Sequence, residues 1–385
     1  MLRTESALAT YSRISKIGWI VDPRPLFLLL QKKTTTVDTA IEAIANTAAE
    51  WRESVHPARQ SAVDETLAAP NRWTEQALDH ALNRWMQQLT RAGLEEWLGA
   101  ESPALGTVGV VHGAQEPLCG LRAAIAAWAC ADGYVGAVPE SSPALLPAFA
   151  EAVGDRLPDT EIGFTSVEET IQRSDVLIAD PIDRTDPSIA ALCDEAGLSA
   201  SRRHLRGERY SVGLVDGHES EDEMGRLAED MLLYEGQGRR RLALLWAPTD
   251  HSPDDYLQAM AGFRGLFPAH EDTPGTLEMQ QAFLEAQDQP HAYAEGMEFL
   301  MSRGEPEVQK PGHIRWTEYD ALEALDAWWT DHRDDVYGII ARPHLHDQCP
   351  DHWPLRTPGG VHIPPLDDEE GEAVVQFLRE MGADA

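Results

Sequence analysis

The chain has 385 residues, enough to bury a large core and form one or two domains. Asp and Glu number 65 against 31 Lys and Arg, a net charge of −34; nucleic acid and anionic membranes, which need a positive face, are excluded as partners. Lysine occurs only at Lys16, Lys32, Lys33 and Lys310, a composition that suits a halophilic protein whose self-repulsion is screened by salt, the other reading being an acidic protein from a GC-rich genome.

In chain order, the longest apolar run near the N-terminus, residues 26–30 after Pro25, is far too short to span a bilayer. The first residues lack the basic start, apolar stretch and cleavage site of a signal peptide. Residues 37–99 carry apolar side chains at helical spacing (Ile41, Ile44, Ala48, Trp51, then Leu78, Leu82, Trp85, Leu89). This predicts two or three amphipathic helices broken by Pro57 and Pro70. From Thr107 short β-branched runs alternate with helices, the pattern of a parallel sheet covered on both faces. Strands are expected near 107–111, 134–138, 160–163, 175–179 and 210–215, with helices near 118–131, 142–153, 166–172 and 186–196. Together they read as one Rossmann-like region, although G-x-G-x-x-G is missing.

The acidic run Glu219, Glu221, Asp222, Glu223 reads as the cap and solvated face of a helix leading to Tyr234. A tight Gly236-Gln237-Gly238 turn follows, then Arg239-Arg240-Arg241 and a buried-type strand over 242–246. Two glycines around one residue let the backbone bend sharply and approach a ligand. A strand over 336–342 and a helix over 370–381 complete the pattern. Cys119, Cys130, Cys193 and Cys349 include no C-x-x-C pair and fit buried thiols in a reducing, cytoplasmic compartment.

The stretch 229–248 resembles the nucleophile turn of the luminescence-type (LuxC-like) fatty acyl-CoA reductases, within the aldehyde dehydrogenase superfamily. The likeness extends over residues 105–380. Thr107 to Gly113, followed by Pro117, is similar to the family's first nucleotide-domain strand and loop. Gly133 to Val138 resembles the next strand, and Gln348-Cys349-Pro350 a closing motif of one branch. The family also lacks the G-x-G-x-x-G fingerprint. The resemblance implies an α/β, aldehyde dehydrogenase-like fold with a helical N-terminal region. A Rossmann-type nucleotide-binding domain would span 1–216, with 345–385 returning to it, and a smaller α/β catalytic-type domain 217–344. It implies NADPH-dependent reduction of long-chain acyl-CoA to fatty aldehyde, with Gly113, Pro117, Ala137, Gly236 and Gly238 beside the cofactor.

Three positions depart from the family. Arg239 stands where the catalytic cysteine is expected, Ala137 where a cofactor-facing lysine is usual, and Ala114-Gln115 where a Gly-Asn pair helps hold the oxyanion. Reducing a thioester needs a thiolate, oxyanion donors and a nicotinamide. Arginine stays protonated and has no lone pair for a carbonyl carbon, so Cys119 is the first candidate for a relocated thiol. The three arginines could grip phosphates of coenzyme A or a dinucleotide. Alternatively, acidic neighbours pair with them, and alternation sends Arg239 and Arg241 one way and Arg240 the other.

The first functional reading is an acyl-CoA reductase-like protein with weak or lost activity. The second is a non-enzymatic binding or partner subunit that keeps a dinucleotide or CoA cleft. A third uses His344, His346, Cys349 and His352, which have the types and close spacing of zinc ligands; they fall in a Pro-rich connection where the family has no metal, and no metal is assigned. Trp328 and Trp329 read as core or subunit-contact residues, which leaves a homo-oligomer open.

Overall fold

The computed structural model describes residues 37–100, 105–182 and 188–383. The apolar run 26–30, Lys16, Lys32, Lys33 and the start of the helix expected from 186 lie outside these residues. Helix α1 (Val37–Trp51) buries Ile41, Ile44, Ala48 and Trp51 along one face, as their spacing predicts. Pro57 opens α2 (Pro57–Leu67), where its missing N–H has no intrahelical partner to lose. Thr74 and Thr90 cap α3 (Glu75–Gln88) and α4 (Arg91–Leu98), their hydroxyls accepting from the N–H of Ala77 and Gly93. The expected two or three helices are therefore four. Thr90 begins a new helix straight after Leu89, with no proline or glycine to announce the break.

Strands β1 (Leu105–His112), β2 (Ala131–Ala137), β3 (Glu161–Phe164), β4 (Val176–Ile182) and β5 (Arg203–Gly207) form a parallel sheet in the order β3-β2-β1-β4-β5. Helices α5 (Leu121–Cys130), α6 (Leu145–Gly154), α7 (Val167–Arg173) and α8 (Ser188–Glu195) connect them. The edge strand β5 reads Arg-His-Leu-Arg-Gly, and so polar a segment gives no strand signal in the sequence. Around this sheet Trp51 meets Phe149 edge-on at 5.2 Å and Trp128 meets Tyr134 at 5.7 Å.

The second sheet has the order β12-β11-β6-β7-β10-β9-β8. Its strands are β6 (Tyr210–Leu214), β7 (Leu242–Pro248), β8 (His291–Tyr293), β9 (Leu300–Arg303), β10 (His313–Tyr319), β11 (Val336–Ala341) and β12 (Leu355–Arg356). All its pairs are parallel except β8 with β9. The strand expected at 210–215 thus belongs here, between β7 and β11, and not with β4 in the first sheet. A short apolar strand has the same pattern whichever sheet it joins, so only the pairing could decide.

Helices α9 (Glu221–Leu232), α10 (Asp254–Leu266), α11 (Thr273–Ala286), α12 (Leu322–His332) and α13 (Pro343–His346) follow the strands of the second sheet, and α14 (Glu369–Ala383) packs back on α5. Ser220 caps α9 in a capping box with Glu223, and Glu221 and Asp222 lie in the first turn, as the acidic run suggests. Glu219 departs from the solvated face. It is buried and accepts hydrogen bonds from the N–H of Asp216 and Gly217 and from the Tyr256 hydroxyl. No helix of the described residues is long and apolar enough to cross a membrane.

Candidate functional site

Helix α9 stops at Leu232, two residues before Tyr234. Tyr234, Glu235 and Gly236 then take three successive left-handed conformations, with φ of 55°, 58° and 67°. For a residue with a side chain this costs about 1–2 kcal/mol, so the turn must be held from outside. Arg264 grips both oxygens of buried Glu235, at 3.0 and 3.1 Å, and the Thr273 hydroxyl donates to it at 2.6 Å. The Tyr234 ring lies edge-on to His362 at 5.2 Å. A Cβ on Gly236 would stand 2.7 Å from the Gly312 nitrogen, and one on Gly238 would stand 2.3 Å from His362 Nδ1. Both glycines are therefore required by close approach, though to Gly312 and His362 of the chain itself and not to a ligand.

The side chain after this turn does not reach an open cleft. Arg239 is 3% exposed and pairs with Asp180 through one nitrogen and Glu370 through the other. Arg240 also reaches Glu370, at 2.8 and 3.0 Å, and Glu116 at 3.2 Å. Arg206 bonds Asp180 at 3.2 Å and Glu370 at 2.7 Å, while Arg122 and Arg209 complete the shell. One carboxylate, Glu370 on α14, thus meets the guanidinium groups of Arg122, Arg206, Arg209, Arg239 and Arg240. The acidic-neighbour reading holds for Arg239 and Arg240, but the alternation does not. Residues 239–241 precede β7 and form a turn, so Arg239 and Arg240 enter one network and Arg241 turns away to the Gln309 carbonyl at 3.0 Å.

Burial pushes the Asp180 carboxyl up, but Arg239 and Arg206 outweigh it and hold it down at about 2. Burial acts the same way on Glu370, and Arg240, Arg239, Arg206 and Arg122 hold it well below the usual carboxylate range. Glu116, with fewer arginines, is raised by burial. All four cysteines are buried thiols. Cys119 does lie against this network, its Sγ donating to the Asp180 carbonyl at 3.4 Å. Burial, then Glu116 and Asp180, push that thiol well above its ordinary value, the opposite of what a nucleophile needs.

The other expected site residues fall into two groups. Gly113 donates its N–H to the Asp180 carbonyl at 2.8 Å, and Pro117 is buried in the loop that carries Glu116 and Cys119. Ala137 ends β2 inside an apolar cluster with Val111, Ile171, Leu177 and Ala179, so no cation stands there. Gln115 is half-buried, with its amide oxygen buried and unpartnered and its amide nitrogen donating to Glu208. Beside it opens a surface cavity of about 560 Å³ lined by Gln115, Glu208, Gln237, Arg241 and Lys310. Arg241 Nη1 is buried there with no hydrogen-bond partner, and burial lowers that guanidinium to about 10. The unpartnered Nη1 and the nearby lysine could take a phosphate-bearing group, with the Glu208 carboxylate on the same lining opposing it.

The zinc reading is corrected. His346 Nε2 donates to the Ala341 carbonyl at 3.0 Å, His352 pairs with Asp326 at 2.8 Å, Cys349 sits in the core and His344 is exposed. Among the described residues no group of three His, Cys, Asp or Glu is placed to hold a metal ion. Trp328 packs against Trp246 at 5.9 Å at the margin of the second core. Asp180, Glu116, Arg206 and Glu370 give no local sequence signal, since each is a single charge far along the chain from Arg239.

No protein-family model matches the chain, and no curated protein matches it. Among solved structures, lactaldehyde dehydrogenase is 11% identical, covering 85% of this chain and 79% of its own, with a TM-score of 0.63. An NAD-dependent benzaldehyde dehydrogenase from Corynebacterium glutamicum is 12% identical over 89% and 84%, with a TM-score of 0.61. The aldehyde dehydrogenase KauB from Pseudomonas aeruginosa is 13% identical over 80% and 72%, with a TM-score of 0.60. The chain has the aldehyde dehydrogenase-like fold, with a Rossmann-like parallel sheet and a second sheet.

Proposed function

We propose that this protein is an acyl-CoA reductase-like member of the aldehyde dehydrogenase fold whose covalent chemistry is weak or lost. The observation that supports it is Arg239. The position that the resemblance gives to a catalytic cysteine holds a guanidinium that is buried and neutralised by Asp180 and Glu370. It has no lone pair to attack a thioester and no open face toward one. Cys119, the nearest alternative, is held protonated by its surroundings.

The second reading, a binding or partner subunit that retains a dinucleotide or CoA cleft, draws on the cavity beside the turn. Gln115, Arg241 and Lys310 would hold a phosphate of NADPH or coenzyme A there. Bound NADPH would supply hydride; the residues of this chain bind and orient.

Intact mass after incubation with a long-chain acyl-CoA separates them from an active reductase. The wild type is expected to carry no acyl adduct, and Arg239→Cys to present a thiol at the turn. A stable adduct on wild-type Cys119 would show a site rebuilt around another thiol and sink the lost-activity reading. In the same samples NADPH or coenzyme A should raise the unfolding temperature by mass action if the cleft is kept.

A further inference from the structure

Beside the edge strand β12 of the second sheet, between helix α3 and the loop after β12, lies a second cavity of about 660 Å³. Its lining combines apolar Leu355, Val361 and Ile363 with Arg84 and Arg356. Arg356 is the unusual member. In a chain of net charge −34 its guanidinium has, among the described residues, no carboxylate within ion-pair distance, although its backbone pairs with β11. Its Nε is buried without a partner, although a buried guanidinium donor is costly to leave unpaired.

The guanidinium is nevertheless fixed. It lies over the Tyr337 ring with its carbon 4.2 Å from the ring centre, and the Tyr337 hydroxyl is itself tied to Asp368 at 2.7 Å. Gly338 makes room, since a Cβ there would stand 2.9 Å from Arg356 Cδ. The adjoining loop is equally rigid. Buried Asp230 accepts the N–H groups of Gly359 at 2.7 Å and Gly360 at 3.1 Å, so its charge is turned to the backbone and not to Arg356. Arg84 is only loosely engaged, with Glu229 at 3.9 Å.

We infer that this cavity is a binding site for a small carboxylate with a compact apolar body. Arg356 takes the carboxylate through its planar fork, Arg84 adds a second positive charge, and the apolar body covers Leu355, Val361 and Ile363. The inference does not depend on whether the chain retains reductase chemistry, because neither Arg239 nor the cavity at Gln115 contributes to it.

The test is calorimetric titration of the full chain with cyclohexanecarboxylate, with cyclohexanemethanol as the uncharged counterpart and inorganic phosphate as a purely anionic competitor. Saturable binding of the carboxylate is expected, weakened about tenfold or more by Arg356→Leu and less by Arg84→Leu. Lys310→Ala, at the other cavity, should leave it unchanged. Arg84→Leu is read on its own if Arg356→Leu fails to fold. Three results would overturn the proposal: no saturation by about 10 mM, equal affinity for the alcohol or for phosphate, or affinity that survives the folded arginine variants.

Discussion

Glu370 shows how much one residue can carry. Five guanidinium groups share its two oxygens, so none of them is buried without a counter-charge. Removing Glu370 leaves Asp180, Glu116 and Asp368 to offset the buried arginines only in part, which costs more than the net worth of any single pair. Glu370→Gln should therefore lower stability by about 3–5 kcal/mol, read from the chemical-denaturation midpoint; a loss within error of zero would mean that water already screens the cluster. The same network sets an acid limit. Asp180 is depressed to about 2, so its contribution is full above the unfolded carboxylate pKa and is lost as pH falls through the folded one. Stability should decline between about pH 4 and pH 2 by about 2–3 kcal/mol from Asp180 alone, and a flat denaturation midpoint across that window would contradict it.

The turn that ends in Gly236-Gln237-Gly238 is the element on which the proposed function rests. Its three left-handed residues are held by side chains from elsewhere, chiefly Arg264 and Thr273 on Glu235, so its shape belongs to the fold and not to the tripeptide. Gly236→Ala combines a positive φ with a Cβ 2.7 Å from the Gly312 nitrogen. We expect a loss of about 1–3 kcal/mol, seen as a lower thermal midpoint, whereas alanine at half-buried Gly225, where an added Cβ meets nothing within 4 Å, should cost far less. The two glycines were legible in the sequence. What the turn presents was not, because the acidic partners of Arg239 and Arg240 arrive from β4, the loop before α5 and the start of α14.

For the whole molecule the dominant fact is charge. At −34 the folded chain repels itself in dilute buffer, and added salt screens that repulsion over roughly 10 Å at 0.1 M and 3 Å at 1 M. Unfolding midpoints should rise as molar potassium chloride is added. Equal stability in dilute buffer and molar salt would favour the genome-composition reading. Buried pairs such as Arg239 with Asp180 are screened far less than surface ones, so salt should act mainly through the surface.

The sequence by itself determined the helical segment before Thr107, the alternation of helices and strands from there to about 215 except for β5, and the place of the Gly-Gln-Gly turn, because period and turn chemistry are local. Only the tertiary structure decided that 210–214 pairs in the second sheet, that Arg239 and Arg240 enter one network, and that Arg356 stands unpaired in a cavity. Those outcomes depend on which distant residues meet. A strand's apolar pattern is the same in either sheet, and a guanidinium's role is set by the carboxylates that folding brings to it or withholds.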